Sequence, residues 1–352
     1  MYRTDVSKPD HHGRTGVTIQ QPDKCWSGYT LTWSRQTEHA QLVDMEGRIV
    51  HRWEYRQGMN WHFATMLPNG HLLVIPNHKA GQMLLELDWQ SNPVWKHPSG
   101  SHHDCERLPN GNTLSVCHGR AHYPAICSRP MLYDYLLEIT PDHQIAWEWH
   151  YATHEEQIRQ LVEVPGPLEH YRDWPHINTV ESLPDTPLGR ADSRFKAGNV
   201  LFSPRHCHLI AVIEKESGDV VWAWGPGEIL GQHQPTMLPS GNILLFDNGS
   251  GPPLRGYSRV LEIEPLSGKI VWQYQSDPPT EFWTPVGSGN QRLPNGNTLI
   301  CAMNWDETGR VFEVTPAGET VWEYWNPEEQ SLYRSERHAP ELVEGLLKQY
   351  GE

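Results

Sequence analysis

Residues 293–322 read LPNGNTLICAMNWDETGRVFEVTPAGETVW, and both halves of this stretch recur along the chain. The first half is an apolar strand, a tight turn and a returning strand. Its turn appears as Leu67-Pro68-Asn69-Gly70, Leu108-Pro109-Asn110-Gly111, Leu238-Pro239-Ser240-Gly241 and Leu293-Pro294-Asn295-Gly296. A fifth copy begins at Leu183-Pro184 and resumes at Gly198-Asn199, across an insertion. Proline at the second position presets φ, and glycine at the fourth suits a turn that closes a hairpin. The second half is an alternating strand, a small turn, and a strand ending in tryptophan. Six copies end at Trp53, Trp95, Trp147, Trp222, Trp272 and Trp322, with steps of 42, 52, 75, 50 and 50 residues. Six copies of a unit of roughly fifty residues predict an all-β, six-bladed β-propeller. The recurring tryptophans read as packing between blades. The long step holds residues 151–175 and 184–197, both read as loops grown on a regular frame. The expected organisation is an N-terminal extension over 1–27, the propeller over 28–330 and a tail over 331–352. A short helix is expected from Pro340 to Tyr350, because proline and an acidic residue suit a helix start.

Composition narrows the partners. The 352 residues carry 28 Lys plus Arg against 43 Asp plus Glu, a formal charge of −15. Such a surface repels phosphate backbones, which argues against nucleic acid. No run approaches the ~20 apolar residues of a membrane helix, so no membrane partner is expected. Met1–Gln20 is polar and lacks the apolar centre of a secretory signal, so a cytoplasmic location is expected. The six cysteines form no CxxC pair and read as free thiols of a reducing compartment.

Blade symmetry turns sequence register into geometry. Five residues before the turn leucine stand His62, His103 and His233; the interrupted copy has Asn178, with His176 two residues earlier, and the last has Ser288. A two-residue offset keeps the same strand face. Seven residues after the turn glycine stand Asn77, His118, Arg205, Asn248 and Met303. A hairpin starts and finishes on one side, so both sets should meet at one mouth of the axial channel. Lone histidines such as His39, His97 or His143 read as ordinary polar residues. Four in register around an axis are not asked for by packing. Histidines beside a guanidinium suit an anion with several oxygens, and neutral imidazole can act as nucleophile or base. No Walker loop, dinucleotide fingerprint or nucleophile elbow is present.

From about Gly28 to Trp325 the chain resembles the bacterial arylsulfotransferases, a family of six-bladed propellers. The resemblance is densest at His102-His103-Asp104 ahead of LPNGNTL, and at Asp173-Trp174-Pro175-His176-Ile177-Asn178 with Ser203-Pro204-Arg205. It is dense again at Gly231-Gln232-His233 with GNILLFDNG and Ser258-Arg259. The resemblance implies two-step transfer of a sulfuryl group from an aryl sulfate to a phenol, with no nucleotide donor and no required cofactor. His233 would be the nucleophile, with His103, His176 and Arg205 holding the sulfate and stabilising the leaving phenolate. Asn248, His118, Asn178 and Asn77 are the expected substrate-binding residues. The additional histidines His62, His118, His122, His206 and His208 exceed what this chemistry needs.

Two other readings stay open. A divalent transition metal held by His62, His103, His176 and His233 would make a hydrolase or lyase. A non-catalytic scaffold would use the mouth only to bind a partner or a small anion.

Overall fold

The computed structural model describes residues 13–57, 60–77, 82–123, 129–166, 173–304 and 308–351. Six antiparallel sheets surround one axis, as the repeat predicts. Blades two to five each run outward in chain order. Blade two holds Asn60–Met66, Leu72–Asn77, Met83–Leu87 and Pro93–Pro98; blade three holds Ser101–Arg107, Thr113–Ala121, Met131–Ile139 and Ile145–His150. Blade four holds Ile177–Ser182, Val200–Pro204, Ile210–Ile213 and Val220–Trp224; blade five holds His233–Met237, Ile243–Asp247, Arg259–Glu264 and Lys269–Tyr274. The second strands are apolar and buried on both faces, as in Ile243–Asp247 and Thr298–Ala302. Each lies between two neighbouring blades. The outermost strands alternate, as in Pro93–Pro98, because one face meets water.

The ring closes across both chain ends, which corrects the boundaries at 28 and 330. Arg334–His338 is the innermost strand of blade one, paired with Tyr29–Trp33, and His39–Val43 and Ile49–Glu54 complete that sheet. Blade six runs Gly289–Arg292, Thr298–Ala302, Arg310–Val314 and Thr320–Trp325, with Gly16–Gln20 added outside. The helix Pro340–Tyr350 follows, with Val343 and Leu346 buried against blades one and two.

The turns and tryptophans explain the repeat. In Leu67–Gly70 the Gly70 N–H donates to the Leu67 carbonyl at 2.9 Å and Gly70 has φ +82°. The interrupted copy closes in the same way, Gly198 N–H to the Leu183 carbonyl at 2.9 Å. The 184–197 insertion thus leaves the hairpin clamp unchanged. The indole N–H of each repeat tryptophan donates to a carbonyl in the outer turn of the next blade. Trp95 reaches Pro141, Trp147 reaches Lys215, Trp222 reaches Pro265, Trp272 reaches Pro316 and Trp322 reaches Met45, all within 3.2 Å. Trp322 therefore ties blade six to blade one. Trp53 departs: its indole N–H has no partner among the described residues, and its ring meets Trp89 edge-on at 5.2 Å.

Neither long insertion is only loop. Tyr151–Leu161 is a helix, and its Gln157 accepts from Val220 N–H and donates to Asp219. Residues 184–197 hold the helix Pro187–Ala191, capped by Thr186, and a 3-10 turn, Ser193–Phe195, that buries Phe195. The five described cysteines are free; Cys127 lies outside the described residues. Among the described residues no helix is long and apolar enough to cross a membrane.

Candidate active site

The innermost strands enter the axis through distorted backbone. His103, His176, Gln234 and Ser288 all have positive φ, between 45° and 77°. Register breaks fall at Trp61/Phe63, Ile177/Val180 and His233/Thr236. Positive φ is unusual for residues other than glycine and collects where side chains must be re-aimed.

These distortions turn histidines toward each other. The His62 and His103 rings lie 5.8 Å apart, His103 and His176 4.7 Å, and His176 stacks on His206 at 4.9 Å. His233 reaches the same centre through Tyr333, whose ring is 6.5 Å from His233 and 6.3 Å from His103. The register argument therefore gathers His62, His103, His176 and His233 around one point. Among the described residues, however, no three His, Cys, Asp or Glu side chains are placed to hold a metal ion. The metal reading thus gains no ligand set from this geometry.

His233 is held in one tautomer. Its Nδ1 lies 2.7 Å from Asn248 Oδ1 and 3.1 Å from the Gly231 carbonyl. The Asn248 amide donates to the carbonyls of Thr284 and Gly287, so its oxygen must face the ring. Both neighbours of Nδ1 are acceptors, so Nδ1 carries the proton and Nε2 the lone pair. Burial, then the Arg205 charge, holds this imidazole well below its usual pKa and hence neutral. Asn248 is therefore a support for His233. His208 supports the same loop: its Nδ1 accepts from Gly231 N–H at 3.0 Å.

Arg205 is buried, with Nη2 3.2 Å from the Pro285 carbonyl and 3.5 Å from Ser250 Oγ. His176 Nδ1 lies 2.5 Å from Asp173 Oδ2, and that imidazole contributes to holding the Asp173 carboxyl below the usual range despite burial. Two expected binding residues are turned elsewhere. The Asn178 amide donates to the Gln232 carbonyl at 2.8 Å, and His118 stacks on His102 at 4.5 Å. Asn77 pairs with Asn60 at the end of its strand. His122 is exposed.

Three groups escaped the sequence reading. Arg334 stands four residues before His338, as His62 stands before Met66, and is the sixth member of the ring. It was hidden because the closing blade lacks the LPNG-type turn. It pairs with Asp104 at 3.1 Å and donates to the Asn178 carbonyl. Arg35 lies 3.5 Å from His62 Nδ1 and over the Tyr333 ring. Burial, then Arg35, pushes His62 down to about 2. The Tyr333 hydroxyl is buried and has no partner among the described residues. Three guanidiniums and several neutral imidazoles thus make a locally positive mouth inside an acidic protein.

A six-bladed propeller whose axial mouth gathers histidines and arginines is the class of protein defined here. The family model described as Arylsulfotransferase (ASST) matches residues 64–327, and the chain belongs to that family. No curated protein matches the chain. Among solved structures, a protein of unknown function from Bacteroides caccae superposes with a TM-score of 0.60 at 12% identity, covering 88% of this chain and 98% of its own. A catalytically inactive virginiamycin B lyase from Staphylococcus aureus, with quinupristin, has a TM-score of 0.47 at 12% identity, covering 89% of this chain and 88% of its own. At such identity these likenesses concern the fold alone.

Proposed function

We propose that the protein transfers a sulfuryl group from an aryl sulfate to a phenol through a covalent sulfo-histidine on His233. The observation that carries this reading is the tautomer of His233: a neutral imidazole with Nδ1–H fixed by Asn248 and a bare Nε2 beside Arg205. In the first step Nε2 attacks sulfur, the N–S bond forms, and the S–O bond to the aryl group breaks with its electron pair on the phenolate. In the second, the acceptor phenol loses its proton, its oxygen attacks sulfur, and the N–S bond breaks. The transition state is loose, by analogy with phosphoryl transfer, so charge stabilisation outweighs basicity. Arg205 and His176 would hold the sulfuryl oxygens, and His103 would face the phenolic oxygen. Substrates of this class are small aromatic molecules, in keeping with the family. The reading requires no cofactor.

The test is release of nitrophenol from nitrophenyl sulfate, stimulated by an added phenol. His233→Ala should abolish it while thermal unfolding stays cooperative, and a chelator should leave the wild-type rate unchanged. Retained turnover in His233→Ala overturns the nucleophile, and loss on chelation favours the metal reading.

A further inference from the structure

His102 and His103 are neighbours on one strand, yet their rings do not diverge as strand alternation would require. The positive φ of His103, +61°, turns both inward, and both are buried. Their Nδ1 atoms meet at 2.5 Å. The other nitrogen of His102, Nε2, lies 3.1 Å from Asp134 Oδ1. Asp134 comes from the third strand of the same blade and is fully buried. Its second oxygen accepts Ile177 N–H at 2.5 Å. A continuous run of hydrogen bonds thus leads from a sealed carboxyl, through His102, to the His103 ring at the axis.

Hydrogen counting allows two states of this run with neutral imidazoles. Where two Nδ1 atoms face each other, one donates and the other accepts. If Asp134 is protonated, it donates to His102 Nε2, His102 Nδ1–H donates to His103 Nδ1, and His103 Nε2 carries a proton. If Asp134 is ionised, every bond reverses and His103 Nε2 is bare. We propose that Asp134 and His102 form a proton relay that makes His103 an acid in one half-reaction and a base in the other.

This inference rests on the sulfuryl-transfer reading, and its protons balance. As the S–O bond breaks, His103 Nε2–H protonates the departing phenolate. His103 Nδ1 takes the proton of His102 Nδ1, and His102 Nε2 takes that of Asp134, leaving a carboxylate. The acceptor phenol returns a proton to His103 Nε2, and the run resets to a protonated Asp134. No imidazolium forms, which matters where burial penalises one. Burial, then the Asp173 charge, pushes the Asp134 carboxyl up, while His176, Ile177 N–H and His118 oppose this. Burial keeps His102 and His103 neutral, with His176 and Arg35 adding to the effect. These directions suit a resting state with the proton on Asp134.

The test compares kcat/KM for two donors, because this ratio reports only the first half-reaction. Phenolate is a poor leaving group that needs a proton; nitrophenolate leaves unaided. Asp134→Asn places an amide against His102 that cannot give up its proton, and His102→Gln breaks the run at its middle. Each should lower kcat/KM for phenyl sulfate by about 100-fold and for nitrophenyl sulfate by only about threefold. Equal losses on both donors, or none on phenyl sulfate, overturn the relay; if Asp134→Asn fails to fold, His102→Gln decides. Imidazole nitrogen NMR reads the relay without turnover. In the wild type, raising the pH through the ionisation of Asp134 should move the protonated nitrogen of His102 and His103 together, and in Asp134→Asn neither should move. Independent behaviour of the two rings overturns the relay. Turnover retained in His233→Ala, by contrast, overturns only the sulfo-histidine intermediate.

Discussion

At the scale of single residues, the site depends on which nitrogen of each imidazole holds its proton. His233 is fixed by two acceptors, the Gly231 carbonyl and the nearer Asn248 Oδ1, itself aimed by two carbonyls. Asn248→Ala should therefore cut kcat by about 10²- to 10³-fold with KM within about twofold, since it removes the nearer of the two acceptors that hold the tautomer and makes no contact with Arg205. Steady-state kinetics on nitrophenyl sulfate checks this, and an unchanged kcat would show that Asn248 does not set the nucleophile. Sequence register located His62, His103, His176, His233 and Arg205 because each sits at a countable distance from a turn. It could not reveal that Asn248 serves His233, or that Asn178 is turned to Gln232, because hydrogen-bond partners depend on which way a strand bulges. Tyr333 and Arg35 carry no register signal at all. They stand beside the seam, where the counting frame stops.

At the scale of elements, the blades show which insertions are tolerated and why. The 184–197 excursion preserves the Leu183–Gly198 clamp, and from sequence it reads as a loop grown on a regular frame. Packing says otherwise. Phe195 is fully buried and meets the repeat tryptophan Trp222 at 5.4 Å. Phe195→Ala should destabilise the protein by about 3–5 kcal/mol, measurable by urea unfolding. A loss below about 1 kcal/mol would return the segment to the status of a surface loop. The recurring tryptophans were legible as interblade residues, but not their partners. Five of the six indoles reach a carbonyl in an outer turn whose sequence varies, DMEGR in one blade and TPAGE in another. A backbone acceptor leaves no side-chain signature, so the contact is invisible in sequence.

Considered as a whole molecule, the propeller seals many titratable groups inside an acidic shell, and this sets its response to pH. Burial pushes His51, His118, His208 and His338 down to about 4, His102 to about 3, and His62 and His206 to about 2. In the unfolded chain each would titrate near 6.5. Between those values the unfolded state binds more protons, so stability falls as pH drops below about 6.5. Burial pushes Glu106 and Glu336 up to about 7 and raises Asp134 and Glu181 too, which acts in the opposite sense: the fold retains protons that the unfolded chain has lost above about 4.5. Seven imidazoles outweigh these four carboxyls. The urea midpoint should therefore drop steeply from pH 6.5 towards 4 and decline only gently from 6.5 to about 7.5. A midpoint that is flat down to pH 5 would contradict the burial of this histidine cluster. The six blades and most of the axial ring were legible in the sequence because repetition fixes them. The closure was not, because Arg334–His338 lacks the turn that marks every other innermost strand. That closure also has a consequence for biosynthesis. Tyr333 and the strand Arg334–His338 are synthesised after every other strand of the propeller. Until they dock beside Tyr29–Trp33 the channel lacks one wall and its anion site lacks a guanidinium. A nascent chain is thus a ring held open until this one strand has docked.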